Sequence, residues 1–83
     1  MTDAIKTGGW TWHVGDEKKF SEVVQKHYGV GNSWKVVAYG SQVVNGINYI
    51  FVTEKSVVGQ PNLEVVLVHA HQAPGGEWGN WSP

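Results

Sequence analysis

Cysteine is missing altogether from the 83 residues. That absence removes disulfide staples, thiolate metal sites and any nucleophilic thiol in one step. Charge imbalance is missing too. A net charge of −1 offers neither the basic surface that nucleic acid requires nor a polybasic patch for an anionic membrane. Long hydrophobic runs are also absent: none approaches the roughly 18 apolar residues of a membrane span, and the N-terminal MTDAIKTGGW has no apolar h-region. The expectation is a soluble, disulfide-free chain with neither nucleic acid nor membrane as partner. Its simplest compartment is the cytoplasm, with a processed secreted chain as the alternative.

What the chain does have is glycine and tryptophan, eleven of the first and five of the second. Its length implies one domain, and a domain this small buries only about 60% of the surface its unfolded chain exposes. Each tryptophan is therefore either a plug for an economical core or a binding anchor that buries much area at small entropic cost. Trp10, Trp12 and Trp81 lie near the chain ends, where the second role is open to them.

Patterning divides the chain. Met1–Thr7 is short, polar and without period, and reads as a flexible arm. Gly8-Gly9 is a joint, and Trp10–Val14 alternates as a short strand does. Phe20, Val23, Val24, His27 and Tyr28 fall at i, i+3, i+4, i+7 and i+8, one stripe of an amphipathic helix. Asp16 is the expected N-cap, Glu17 suits the positive end of the helix dipole, and Gly29 ends the helix. Trp34–Val44, Ile47–Val57 and Leu63–Gln72 are rich in Val, Ile, Tyr and Phe and are bounded by turn residues; Glu77–Ser82 is a last short strand. Short turns make neighbouring strands antiparallel, and a single helix must cover one face of the sheet. The expected fold is α+β, with the order β-α-β-β-β-β: one helix packed on a four- to five-stranded antiparallel sheet, in one domain spanning residues 1–83.

Signals for enzyme chemistry are weak. His69 and His71 alternate on a strand, so both imidazoles share a face, but no third ligand stands at motif spacing and structural metal sites want four. His13 and His27 have no partner at motif spacing, and His27, on the apolar edge of the helix, is expected to be partly buried. No nucleophile elbow surrounds a serine. Gly29, Gly31 and Gly40 lack the strand–loop–helix order and the lysine of a phosphate loop. A binding module without metal or cofactor is the expected class, not an enzyme.

One stretch carries more information. In SQVVNGINYIFV, residues 41–52, Asn45-Gly46 sits between two apolar runs and signals a tight hairpin, yet Val43 and Val44 immediately precede the turn. Strand ends packing across the hairpin would explain them. A docking surface would too. Gln42-Val43-Val44-Asn45-Gly46 matches the QxVxG pentapeptide of the cystatin and stefin inhibitors of papain-like cysteine proteases. Around it, Trp34–Val52 resembles that family's second strand, first hairpin loop and third strand, and Phe20–Tyr28 resembles its single helix. Gly8-Gly9 resembles the glycine of the N-terminal arm. Ala73-Pro74-Gly75 falls where the second hairpin loop belongs. The resemblance covers almost the whole chain in the correct order, and the lack of cysteine suits the stefin branch. Two departures stand out. The spacing from Gly9 to Gln42 is shorter than the family's, so that either the helix has lost about two turns or its flanks are trimmed. Trp78 lies beyond the second loop rather than inside it.

The resemblance implies an apolar wedge that fills a protease cleft reversibly. Val43, Val44, Asn45 and Gly46 would enter its centre, with Gln42 at the loop's base. Gly8, Gly9 and Trp10 would lie on one side, and Pro74, Gly75 and Trp78 on the other. The alternative is a binding protein on the same scaffold that does not inhibit, meeting another protein, a peptide or a sugar through the tryptophans. A metal carrier built on His69 and His71 ranks last. A monomer is expected, with a domain-swapped dimer open to it through the β-branched hairpin.

Overall fold

The computed structural model describes the backbone of residues 4–7, 9–29 and 31–83, and the side chains of all of these except residues 4–7. Six strands and one helix follow in the order β1 (Ala4–Thr7), β2 (Trp10–Val14), α1 (Lys18–Tyr28), β3 (Asn32–Val44), β4 (Gly46–Val57), β5 (Leu63–Gln72) and β6 (Trp78–Ser82). Sequence neighbours are also spatial neighbours: the strands lie side by side from β1 to β6, every pair antiparallel. The architecture is α+β, one helix on one antiparallel sheet.

The N-terminal segment departs from expectation. Ala4–Thr7, read as part of a flexible arm, forms an edge strand in register with β2, from Ala4 opposite His13 to Thr7 opposite Trp10. Four residues are too few to show a period, but a free sheet edge supplies backbone partners whatever the side chains are. The sheet therefore has one strand more than the four or five expected.

The helix begins one residue later than expected. Glu17 occupies the N-cap position and no side chain caps it. Asp16 is not the cap; its carboxylate meets Lys35 at 3.8 Å on the surface, a pairing worth at most about 1 kcal/mol. The reason lies in β3, which ties down the approach: Gly15 N–H donates to the Val37 carbonyl (2.8 Å) and Glu17 N–H to that of Val36 (3.1 Å). Gly29 ends the helix as expected, with φ 81° and its N–H on the Gln25 carbonyl.

Two polar side chains one turn apart then stitch α1 to β3. Ser21 Oγ accepts from Val36 N–H (2.8 Å) and donates to the Glu17 carbonyl (3.1 Å). Gln25 Oε1 accepts from Trp34 N–H (3.0 Å), while its Nε2 donates to the carbonyls of Gly29 and Asn32. Backbone groups beneath the helix that would otherwise be buried without partners are satisfied in this way.

The core lies between the helix and one sheet face. Phe20 and Val24 descend onto Trp34 and Val36 of β3, Tyr49 and Phe51 of β4, and Val68 and Ala70 of β5. Phe20 is ringed by Tyr39, Tyr49 and Phe51, with centroids 4.7–5.2 Å away. Thr53, the buried polar residue of the sheet, donates to the Val66 carbonyl at 2.6 Å. Two irregularities keep large side chains on this face. The β3–β4 register slips between Val36 and Ala38, so Val36 and Tyr39, three apart, both face the helix. The β5–β6 register slips between His69 and His71, and this brings Trp78 and Trp81 to the same side, 5.8 Å apart.

Tyr28 stacks on Trp34 (4.5 Å, 19°), and the Tyr28 hydroxyl and Trp34 indole N–H are buried without a hydrogen-bond partner among the described residues. Burial raises the phenol pKa of Tyr28, Tyr39 and Tyr49 above 10.0; the charge of Glu17 raises Tyr39 further, and Tyr39 raises Tyr49 further. A phenol with a raised folded pKa holds its proton more tightly in the native state than in the unfolded chain. Its contribution is therefore whole below the unfolded value and is lost as pH climbs through the folded one. Urea midpoints are expected to fall above about pH 10; a midpoint that stays level into stronger alkali would contradict this.

Candidate functional site

In an up-and-down antiparallel sheet, alternate connections emerge at the same end. The β1–β2, β3–β4 and β5–β6 turns therefore share one edge of the molecule, while the β2–α1–β3 connection and the β4–β5 turn leave from the other. The three segments singled out in the sequence, around Gly9, at Val43–Gly46 and at Pro74-Gly75, are those three turns.

The central turn projects at the tip of the longest hairpin in the sheet, with Val43 opposite Ile47 and Val44 opposite Gly46. Of the Asn45-Gly46 pair only Gly46 has positive φ, at 93°. The two valines alternate across the pleat, Val43 on the helix-side face and Val44 on the outer one, with 81% and 49% of their surfaces exposed. They do not pack shut against the hairpin. Gln42, at the base, has its Oε1 held by Asn48 Nδ2 at 3.3 Å.

Neighbouring turns buttress this tip. A Cβ built on Gly9, which has φ 82°, would lie 3.7 Å from Gln42 Nε2. On the other side His71 Nε2–H donates to the Asn45 carbonyl at 2.8 Å, since a carbonyl only accepts. A Cβ on Gly46 would come within 2.3 Å of the Gln72 carbonyl and 2.9 Å of His71 Nε2. The β5–β6 turn closes through Ala73 N–H to the Glu77 carbonyl and Gly76 N–H to the Ala73 carbonyl, both 2.8 Å. Pro74 and Gly75 are left exposed.

Not every expected residue joins the group. Gly8 lies outside the described residues. Gly9 sits in a hairpin turn rather than a free arm. Trp10 begins β2 at this edge, but it is turned to the outer face and stacks on Trp12 (6.0 Å, 27°). Trp78 points the other way: register with Gln72 sets it on the helix side, where it packs on Tyr49 (5.2 Å) and Phe51 (6.0 Å). It belongs with the core more than with the exposed edge. His71 is the residue of this site that sequence reasoning assigned elsewhere; its place one strand over from Asn45 depends on the β4–β5 register, which no local pattern reveals.

The remaining histidines are dispersed. His13 stacks on Tyr39 (4.7 Å), and His27, expected to be partly buried, is exposed and stacks on Trp81 (4.4 Å, 13°). No group of three or more His, Cys, Asp or Glu able to hold a metal occurs among the described residues, and no helix among them is long and apolar enough to cross a membrane. The edge consists of exposed aliphatic side chains, turn backbone and a fixed amide, a surface suited to burial and main-chain hydrogen bonding.

Comparison of the chain with protein-family models, with curated proteins and with solved structures finds no match.

Proposed function

We propose that this chain is a reversible, tight-binding inhibitor of papain-like cysteine proteases on a cystatin-like scaffold. The observation that carries the reading is the company of Val43 and Val44: an exposed apolar tip stands between the Gly9 turn and the Pro74-Gly75 turn on one edge. A QxVxG tip alone would be a short sequence match; a tip flanked on both sides at the same end is a wedge.

Inhibition by such a wedge needs no nucleophile and no metal. Each valine taken fully out of water contributes roughly 1.5–3 kcal/mol. Gly46 supplies the positive φ of the turn and the room it needs against Gln72 and His71, and the tip is already shaped by the His71–Asn45 bond and, at its base, the Asn48–Gln42 bond, which lowers the ordering cost of binding. Because the turn is not presented as an extended substrate strand, its peptide bonds need not be cut.

Two observations favour a second reading, a cystatin-like binding protein that does not inhibit. Ala4–Thr7 form strand β1 rather than part of an arm, and Trp78 is turned inward, so the flanks of the wedge are slimmer than the resemblance implies. Titration of papain with the pure protein separates the two. Stoichiometric loss of peptidase activity is expected; full activity with micromolar protein present would move the assignment to the second reading.

A further inference from the structure

The sheet face turned away from the helix carries a separate feature. Strand alternation puts Trp10 and Trp12 of β2, Asn48 of β4, and His69 and His71 of β5 on this outer face. All of these but Trp12 surround a hollow of about 230 Å³ that Asn80 also lines, above the Tyr49–Ala70 pair of the β4–β5 ladder.

The hollow owes its last wall to a distortion. Between His71, opposite Gly79, and His69, opposite Ser82, the single residue Ala70 faces both Asn80 and Trp81. Asn80 takes φ 55°, the one positive φ at a non-glycine residue among those described. Such a bulge re-aims the side chains around it: Trp81 goes to the core and Asn80 to the hollow.

The lining selects a chemistry. No carboxylate, lysine or arginine is part of it, so a fully charged ligand finds no counter-ion. A metal is poorly served, because His71 Nε2 carries a proton donated to the Asn45 carbonyl. What remains is one flat indole beside two amides and an imidazole, groups that each donate and accept. Among the described residues, Asn80 and His69 spend neither capacity on a side-chain hydrogen bond, and Asn48 spends only one N–H, on Gln42. Hydroxyl groups donate and accept in the same way, and the C–H face of a sugar ring lies flat on an indole. Trp12, stacked beside Trp10, extends the platform along β2 for a second unit.

We propose that this hollow is a saccharide subsite: it takes one ring of a neutral oligosaccharide, stacked on Trp10 and hydrogen-bonded by Asn48, His69 and Asn80, with the next ring over Trp12. The site borders the wedge, sharing Asn48 and His71 with the supports of its tip, but does not depend on the inhibitor reading. Calorimetric titration of the full chain with cellotetraose, laminaritetraose and chitotetraose tests it. Saturable binding of at least one sugar is expected, weakened roughly tenfold or more by Trp10→Ala and by Asn80→Gly. The second substitution keeps the positive φ and removes only the amide. No heat from any of the three sugars, or binding that survives both substitutions, would overturn the assignment. So would zinc binding abolished by His69→Ala in a protein that ignores the sugars. Asn80→Gly is expected to leave papain inhibition as it was, so failure of either proposal is visible without the other.

Discussion

Phe51→Ala is expected to remove much of this domain's stability. The ring is fully buried and touches Phe20, Tyr49, Trp78 and Trp81, with centroids 5.2–6.4 Å away. It is thus the residue at which helix, sheet centre and β6 meet. Truncating a buried Phe costs about 3–5 kcal/mol, the transfer term plus the cavity left by neighbours that cannot collapse. At about 0.05–0.15 kcal/mol per residue, a chain of this length has a total stability of roughly 4–12 kcal/mol, so one side chain can account for much of it. Urea denaturation followed by tryptophan fluorescence is the measurement. Leu67→Ala is the control: Leu67 lies on the outer face and is 50% exposed, and its loss is expected to cost about 1 kcal/mol or less. Equal midpoint shifts for the two variants would refute this account of the core.

Gly46→Val is expected to have the second large effect, on the tip. A β-branched residue at φ 93° is strained wherever it has room. Here it has none, since the new Cβ would fall 2.3 Å from the Gln72 carbonyl, a backbone atom that cannot swing aside. Strain and overpacking together should cost about 2–5 kcal/mol. The chain has one escape that spares its core. If the turn opens, β3 and β4 run on as one long strand, and each half pairs with the complementary half of a second copy. Gly46→Val is therefore expected to yield a domain-swapped dimer on size exclusion after mild heating, with the first loop lost and papain inhibition lost with it. A monomer of unchanged stability would show that the tip tolerates a side chain, and the close packing of Gly46 on β5 would have to be abandoned.

Much of the scaffold was legible in the chain because it rests on local periodicity. The stripe from Phe20 to Val24 fixed the helix face, the Gly29 stop followed from the need for positive φ, and three of the long strands begin and end within two residues of their turn signals. The candidate edge was legible for a topological reason: once neighbouring strands are antiparallel, alternate turns must share an end. Four features were not. β1 lacks a pattern and exists because β2 offers it an open edge. The Asp16 cap gave way to backbone bonds from β3. Ser21 and Gln25 look like ordinary surface polars on the helix, and only the approach of β3 makes them ties. The five tryptophans divide between roles that composition could not assign: Trp34, Trp78 and Trp81 close the core, while Trp10 and Trp12 line the opposite face.

The last division shows where each kind of information resides. Residue order by itself determined the helix and every strand but β1, where the chain turns, and that Val43, Val44 and Gly46 stand together at a hairpin tip, because each of these follows from preferences acting over a few residues. Tertiary structure alone decided which way the large side chains face. A strict two-residue alternation would put Trp78 and Trp81 on opposite faces. A single unpaired position at Asn80 sets both against Phe51 and opens the hollow behind them, and that position exists only because β6 must match a neighbour six residues or more away in the chain.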